Sequence, residues 1–219
     1  MKAVAHFFSF VFHPLFVLTY MVLILLWTNP FSFGWRNVTE ANVLLIIFIM
    51  ASITMPAISV LMMKMLGWIK SFHLQTQQER IGPYLVAGVM YLTLYLQVTR
   101  TGTYPVSLRI AVLGSLISLW ACFFINMATK ISLHATGMGG LVALTVLTKL
   151  YFGYDYAEIG LPQGLNLMVP VNILLYGVIG IAGMVCTSRL ILEAHVKKEV
   201  YLGFGVGFVS LMAAYLILT

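Results

Sequence analysis

The residues of this chain best suited to do chemistry are Ser188, Arg189, His195 and Glu199, spaced as Ser-Arg, five residues, His, three residues, Glu. They lie between two long apolar stretches, in a chain where only 8% of residues are charged. An arginine, a histidine and a carboxylate are costly to hold at a membrane boundary unless they are paired or used. His195 and Glu199 stand four apart, so on a helix they share a face and the carboxylate can reach the imidazole. A histidine oriented by a carboxylate beside a fixed guanidinium is equipment for attacking a phosphoryl group.

Two further polar clusters interrupt the apolar sequence. One runs from His73 through Glu79 and Arg80 to Pro83 and Tyr84, and the proline there suits the first turn of a helix. The other holds Lys130, Ser132 and His134, followed by the small residues Ala135, Gly137, Gly139 and Gly140. Small residues at a helix start allow close packing or close approach of a ligand. Taken singly, the first cluster reads as a polar loop with a snorkelling arginine and the second as a solvated boundary histidine.

The elements that must position these groups are transmembrane helices. With 219 residues, 61% of them apolar, and a mean hydropathy of +1.00, the chain is neither a soluble domain nor disordered. It is expected to be an all-α, polytopic helical bundle of six or seven spans in one domain, residues 1–219. Seven apolar stretches qualify, at about 7–27, 41–66, 84–98, 106–128, 135–152, 169–186 and 200–218. Lys2 ahead of the first stretch resembles a signal peptide, but His13-Pro14 interrupts it and no small-residue cleavage site follows, which favours a retained span. Cys122 and Cys186 lie inside apolar runs without metal-ligand spacing and read as free thiols. The net charge of +6 is spread too thinly for nucleic acid, so membrane lipids are the expected partners.

Threading the chain through a bilayer puts His6, His13, His73, His134 and His195 on or near the face where the chain begins. The third, fifth and seventh spans also start there. Three helix N-termini with free N–H groups, joined by Arg80, Arg189 and Lys130, would favour a phosphate dianion. The opposite connections, including residues 153–168, read as ordinary turns rich in Gly and Pro. Lysine and arginine number eight on the site face (Lys2, Lys64, Lys70, Arg80, Lys130, Arg189, Lys197, Lys198) against four opposite (Arg36, Arg100, Arg109, Lys149). That imbalance favours a cytoplasmic site face. Setting aside the three that could serve phosphate leaves five against four.

In order and type the three clusters resemble the motifs of the type 2 phosphatidic acid phosphatase superfamily, which includes the vanadium haloperoxidases. Its third motif, Ser-Arg-x5-His-x3-Asp, is matched by Ser188, Arg189 and His195, with Glu199 in place of aspartate. Its second, Pro-Ser-Gly-His, is matched at Ser132 and His134, with Ile131 and Leu133 replacing proline and glycine. Its first, Lys-x6-Arg-Pro, is matched at Arg80, with His73 at the lysine position and Pro83 two residues late. The resemblance implies a lipid-phosphate phosphatase that needs no metal or cofactor and works through a phosphohistidine. His195 would attack, Glu199 would orient it, and His134 would protonate the leaving group. Arg80, Arg189, Ser132 and His73 would hold the phosphate, joined by Lys130 from the charge argument above. Phosphatidic acid, phosphatidylglycerol phosphate, polyprenyl pyrophosphate and a lipid A phosphate are the implied candidates. The resemblance also implies a bacterial inner-membrane location with an extracytoplasmic site, against the charge count. A phosphotransferase with the same site, or a non-catalytic lipid-binding or transport bundle, are the other readings.

Overall fold

The computed structural model describes residues 1–36, 38–72, 76–153, 155–160 and 166–219. Its helices are α1 (Lys2–Val11), α2 (Pro14–Thr28), α3 (Asn42–Ile49), α4 (Met55–Met65), α5 (Gln77–Arg100), α6 (Val106–Ala128), α7 (Leu133–Leu147), α8 (Val171–Ile191) and α9 (Lys197–Leu218). A π turn at Met50–Thr54 joins α3 to α4 as one span, and another at Thr148–Phe152 extends α7. Six spans are individually long and apolar enough to cross a membrane, and the bent pair α1–α2 makes up to seven. The chain is built as a multi-pass integral membrane protein with an all-α bundle.

The first span is not one rod. α1 and α2 bend by 59° at Phe12 and His13. Pro14 opens α2, where its missing N–H goes unneeded, and it forces the preceding residue into an extended conformation. The π turn before α4 has a related origin, because Pro56 cannot donate to the helix ladder. There the Ser52 hydroxyl donates to the Phe48 carbonyl at 2.7 Å and meets the Thr19 hydroxyl of α2 at 3.3 Å.

Two sequence expectations need correction. The third span starts at Gln77 rather than near Tyr84, so Pro83 lies inside α5 and not in its first turn. The start is set by a capping box: Thr76 Oγ1 accepts the Glu79 N–H while the Glu79 carboxylate accepts the Thr76 N–H. The connection around 153–168, read as plain turns, carries an antiparallel pair, β1 (Tyr156–Gly160) with β2 (Asn166–Pro170), in register from Tyr156 opposite Pro170 to Gly160 opposite Asn166.

The core is densest where α7 meets α9, its main packing partner. A Cβ on Gly139 would strike the Phe204 carbonyl, and one on Gly207 would strike the Thr136 carbonyl. One on Gly203 would stand 2.6 Å from the Ser132 carbonyl oxygen. These glycines let two backbones touch, the small-residue packing that membrane helices use without a hydrophobic driving force. The contact holds the starts of α7 and α9 side by side, and the Ser132 N–H donates to the Glu199 carbonyl at 3.4 Å.

Candidate active site

His195 sits in the short turn between α8 and α9, with its side chain 8% exposed. Its Nδ1 lies 2.7 Å from Oε2 of Glu199, the third residue of α9. The same oxygen accepts the Val196 N–H at 3.4 Å, so Glu199 caps its own helix while it holds the ring. The longer glutamate therefore reaches the imidazole. Burial is the main influence that lowers the His195 pKa below its ordinary 6.5. Lys130 and Arg189 lower it further, and the hydrogen bond and charge of Glu199 oppose them. The ring is thus neutral at neutral pH, with the Nδ1 proton directed at Glu199 and a lone pair on Nε2.

One cavity of about 530 Å³ gathers the rest. Its polar end is lined by His13, Arg80, His134, Arg189 and His195, and its apolar flank by side chains of α2, α4, α5 and α6 such as Leu18, Val60, Ala87 and Leu119. Four of the sequence-selected residues, distant in the chain, therefore share one space. Ile131 and Leu133 also line it, so an apolar wall stands where the resemblance expects proline and glycine.

Ser9 of α1 ties two of these groups together. Its carbonyl accepts from His134 Nε2 at 3.0 Å, and its hydroxyl accepts from Arg189 Nη1 at 3.3 Å. A carbonyl only accepts, so the His134 proton is on Nε2 and Nδ1 is the nitrogen left over. Arg189 Nε is buried without a hydrogen-bond partner, and Arg189 forms no ion pair among the described residues. A guanidinium held this way lacks the counter-charge that burial normally requires. Arg80 leans on α6, with Nη1 3.5 Å from Asn126 Oδ1.

Other selected residues serve the frame. Ser132 is wholly buried and absent from the cavity lining; its hydroxyl caps α7 by accepting the Ala135 N–H at 3.4 Å. Lys130 also lies off the cavity, donating from Nζ to the Ala194 carbonyl at 2.7 Å and so pinning the turn that carries His195. His73 falls outside the described residues. The helix starts are not as open as expected, because caps already take one N–H each at α5 and α7. Ser9, His13 and Asn126 were not selected from the sequence. His13 was visible there as a helix breaker beside proline and as one of five histidines on the site face, while Ser9 and Asn126 look like ordinary polar residues of an apolar span.

Among the described residues no three of His, Cys, Asp and Glu come together as a metal-ligand group. No protein-family model, curated protein or solved structure matches the chain.

Proposed function

We propose that this protein is a membrane lipid-phosphate phosphatase that works through a phosphohistidine. One observation carries the reading. Arg189, partly buried and without a carboxylate partner, lines the same cavity as a neutral histidine whose other nitrogen is fixed by a carboxylate. An anion that can accept from a guanidinium fork and be attacked by an imidazole is a phosphate ester.

In the reaction, Nε2 of His195 attacks phosphorus and the bond from phosphorus to the lipid oxygen breaks. The departing alkoxide takes a proton from Nδ1 of His134, which must enter the reaction as an imidazolium because its Nε2 proton is engaged by Ser9. Arg189 and Arg80 stabilise charge on the non-bridging oxygens, where most phosphoryl-transfer catalysis arises. Water then attacks the phosphohistidine, returns a proton to His134 and releases inorganic phosphate. Glu199 keeps the Nδ1 proton in place and stabilises the ring as positive charge develops on it.

The apolar flank of the cavity supports a lipid substrate, since a chain joined to the phosphate would have an apolar surface to lie on. The reading includes a bacterial inner membrane, with the site near headgroup level. Its test is release of phosphate from a panel of lipid phosphates by purified protein with chelator present, beside His195→Ala and His134→Ala. Turnover by the wild type alone is expected, with each variant slower by at least about a thousandfold. No phosphate from any substrate overturns the hydrolase reading, and transfer only to an added alcohol would make the protein a phosphotransferase.

A further inference from the structure

The reaction above uses nothing from the break between α1 and α2, yet His13 faces the same cavity as His134, Arg189 and His195. The break fixes its chemistry. His13 is the N-cap of α2, with extended backbone at φ −63° and ψ 142°, and its Nδ1 accepts the Leu15 N–H at 3.4 Å. A neutral imidazole that accepts at Nδ1 carries its proton on Nε2. The ring stands edge-on to His134, with centroids 5.2 Å apart and planes at 84°. The cavity has no lysine and no carboxylate among its described lining residues, so the basic groups that line it are histidines and arginines.

We propose that His13 is a phosphate-binding residue whose Nε2–H donates to a non-bridging oxygen of the substrate. The inference rests on the lipid-phosphate reading of this cavity and adds a contact from outside the three sequence clusters. It makes the helix break part of the site: Pro14 ends the first helix, the cap orients the imidazole, and the Nε2–H, without a hydrogen-bond partner among the described residues, joins Arg189 on the phosphate.

A structural role and a binding role can be separated, because asparagine is among the best N-caps. In His13→Asn, Oδ1 can still accept the Leu15 N–H, but no donor stands at the Nε2 position. His13→Gln is the converse, placing an amide N–H near Nε2 with a poorer cap. Inorganic phosphate binding by calorimetry, lipid-phosphate turnover and the thermal unfolding midpoint would be measured for all three proteins in detergent. His13→Asn is expected to keep the wild-type midpoint, yet bind phosphate about tenfold or more weakly and show a matching rise in KM, as loss of a hydrogen bond to a charged group implies. His13→Gln should regain part of that binding. Phosphate binding by His13→Asn equal to wild type overturns the proposal, as does a loss that tracks a lowered midpoint in both variants. If wild type binds phosphate without hydrolysing lipid phosphates, the hydrolase reading falls and the binding comparison still decides His13. If wild type does not bind phosphate, both fall.

Discussion

The two walls of the cavity are built on different principles. One wall is α7 with α9, where glycines press backbone on backbone and 67% of the α7 span is buried. It carries His134 and ends at the turn of His195. The facing wall is α4 with α5, whose span is 33% buried, as is that of α9, and a proline interrupts each of its helices. What sets it apart is the contact: Gly82 and Gly88 of α5 meet the Met63 and Trp120 side chains rather than backbone. It offers mostly apolar surface plus Arg80. Backbone-on-backbone packing thus accompanies the groups assigned to the reaction, and side-chain packing accompanies the surface assigned to the lipid chain. A nucleophile must be held within a fraction of an ångström, whereas an acyl chain needs only apolar contact.

The largest effect should come from breaking the rigid wall. Gly207→Ala places a methyl against the Thr136 carbonyl, and backbone cannot yield as a flexible side chain can. A loss of roughly 3 kcal/mol or more is expected, seen as a lower unfolding midpoint in detergent with activity lost in parallel. Gly205→Ala, on the same helix with open space around it, should melt like wild type. Equal melting of the two variants would show that the close approach does not matter.

The facing wall should respond in specificity instead. Ala87→Trp fills part of the cavity from α5, an element that carries none of the lining histidines. Hydrolysis of long-chain lipid phosphates should fall about tenfold or more while a short, water-soluble phosphate ester is spared, consistent with a loss of a few kcal/mol of apolar contact. Parallel loss on both substrates would remove the division of labour between the walls.

The walls also differ in how much of them could be read from the sequence. The His195–Glu199 pair was legible because both partners are local, although His195 lies in the turn before α9 and not on the helix face that the four-residue spacing suggested. The convergence of Arg80, His134 and Arg189 was legible as a shared membrane face, since span counting alone sorts residues by side. What packs against them was not. Ser9 and His13 meet His134 and Arg189 where α1 turns aside by 59° at the break, and no spacing in the chain encodes a contact across 125 residues. Ser132 and Lys130 misled for a related reason. A hydroxyl or an ammonium suits a phosphate as well as it suits a helix cap or a carbonyl, and only the backbone around it decides. Pro83 misled as a start signal because the capping box at Thr76 and Glu79 lay upstream and took precedence.

The rigid wall makes a pH prediction with opposite signs at two neighbours of His195. His195, the proposed nucleophile, must be neutral, and burial already lowers its pKa below 6.5, so the acid limb should lie below that value, while the alkaline limb follows loss of the His134 proton. Glu199 raises the His195 pKa and Lys130 lowers it. Glu199→Gln should therefore move the acid limb of kcat/KM to lower pH and reduce the rate roughly ten- to a hundredfold, as the ring loses its stabilising charge. Lys130→Met should move the limb to higher pH. Shifts in the same direction would mean that the limb does not report His195.

The smallest effect should come from the turn that joins His195 to α8. Glu193 is exposed and holds φ at 54°, a left-handed conformation that glycine adopts without strain. Its N–H donates to the Leu190 carbonyl, and the next residue's N–H donates to the Arg189 carbonyl, so the turn is fixed by backbone bonds that a substitution retains. Lys130 pins the turn from the other side through the Ala194 carbonyl. Glu193→Gly should thus raise stability by up to about 1 kcal/mol and leave turnover unchanged, because relief of strain outweighs the extra freedom of the unfolded chain. A variant of equal stability but slower turnover would give the strain a different meaning. It would show that the strained residue, rather than the backbone bonds and Lys130, keeps His195 at its working position against the rigid wall.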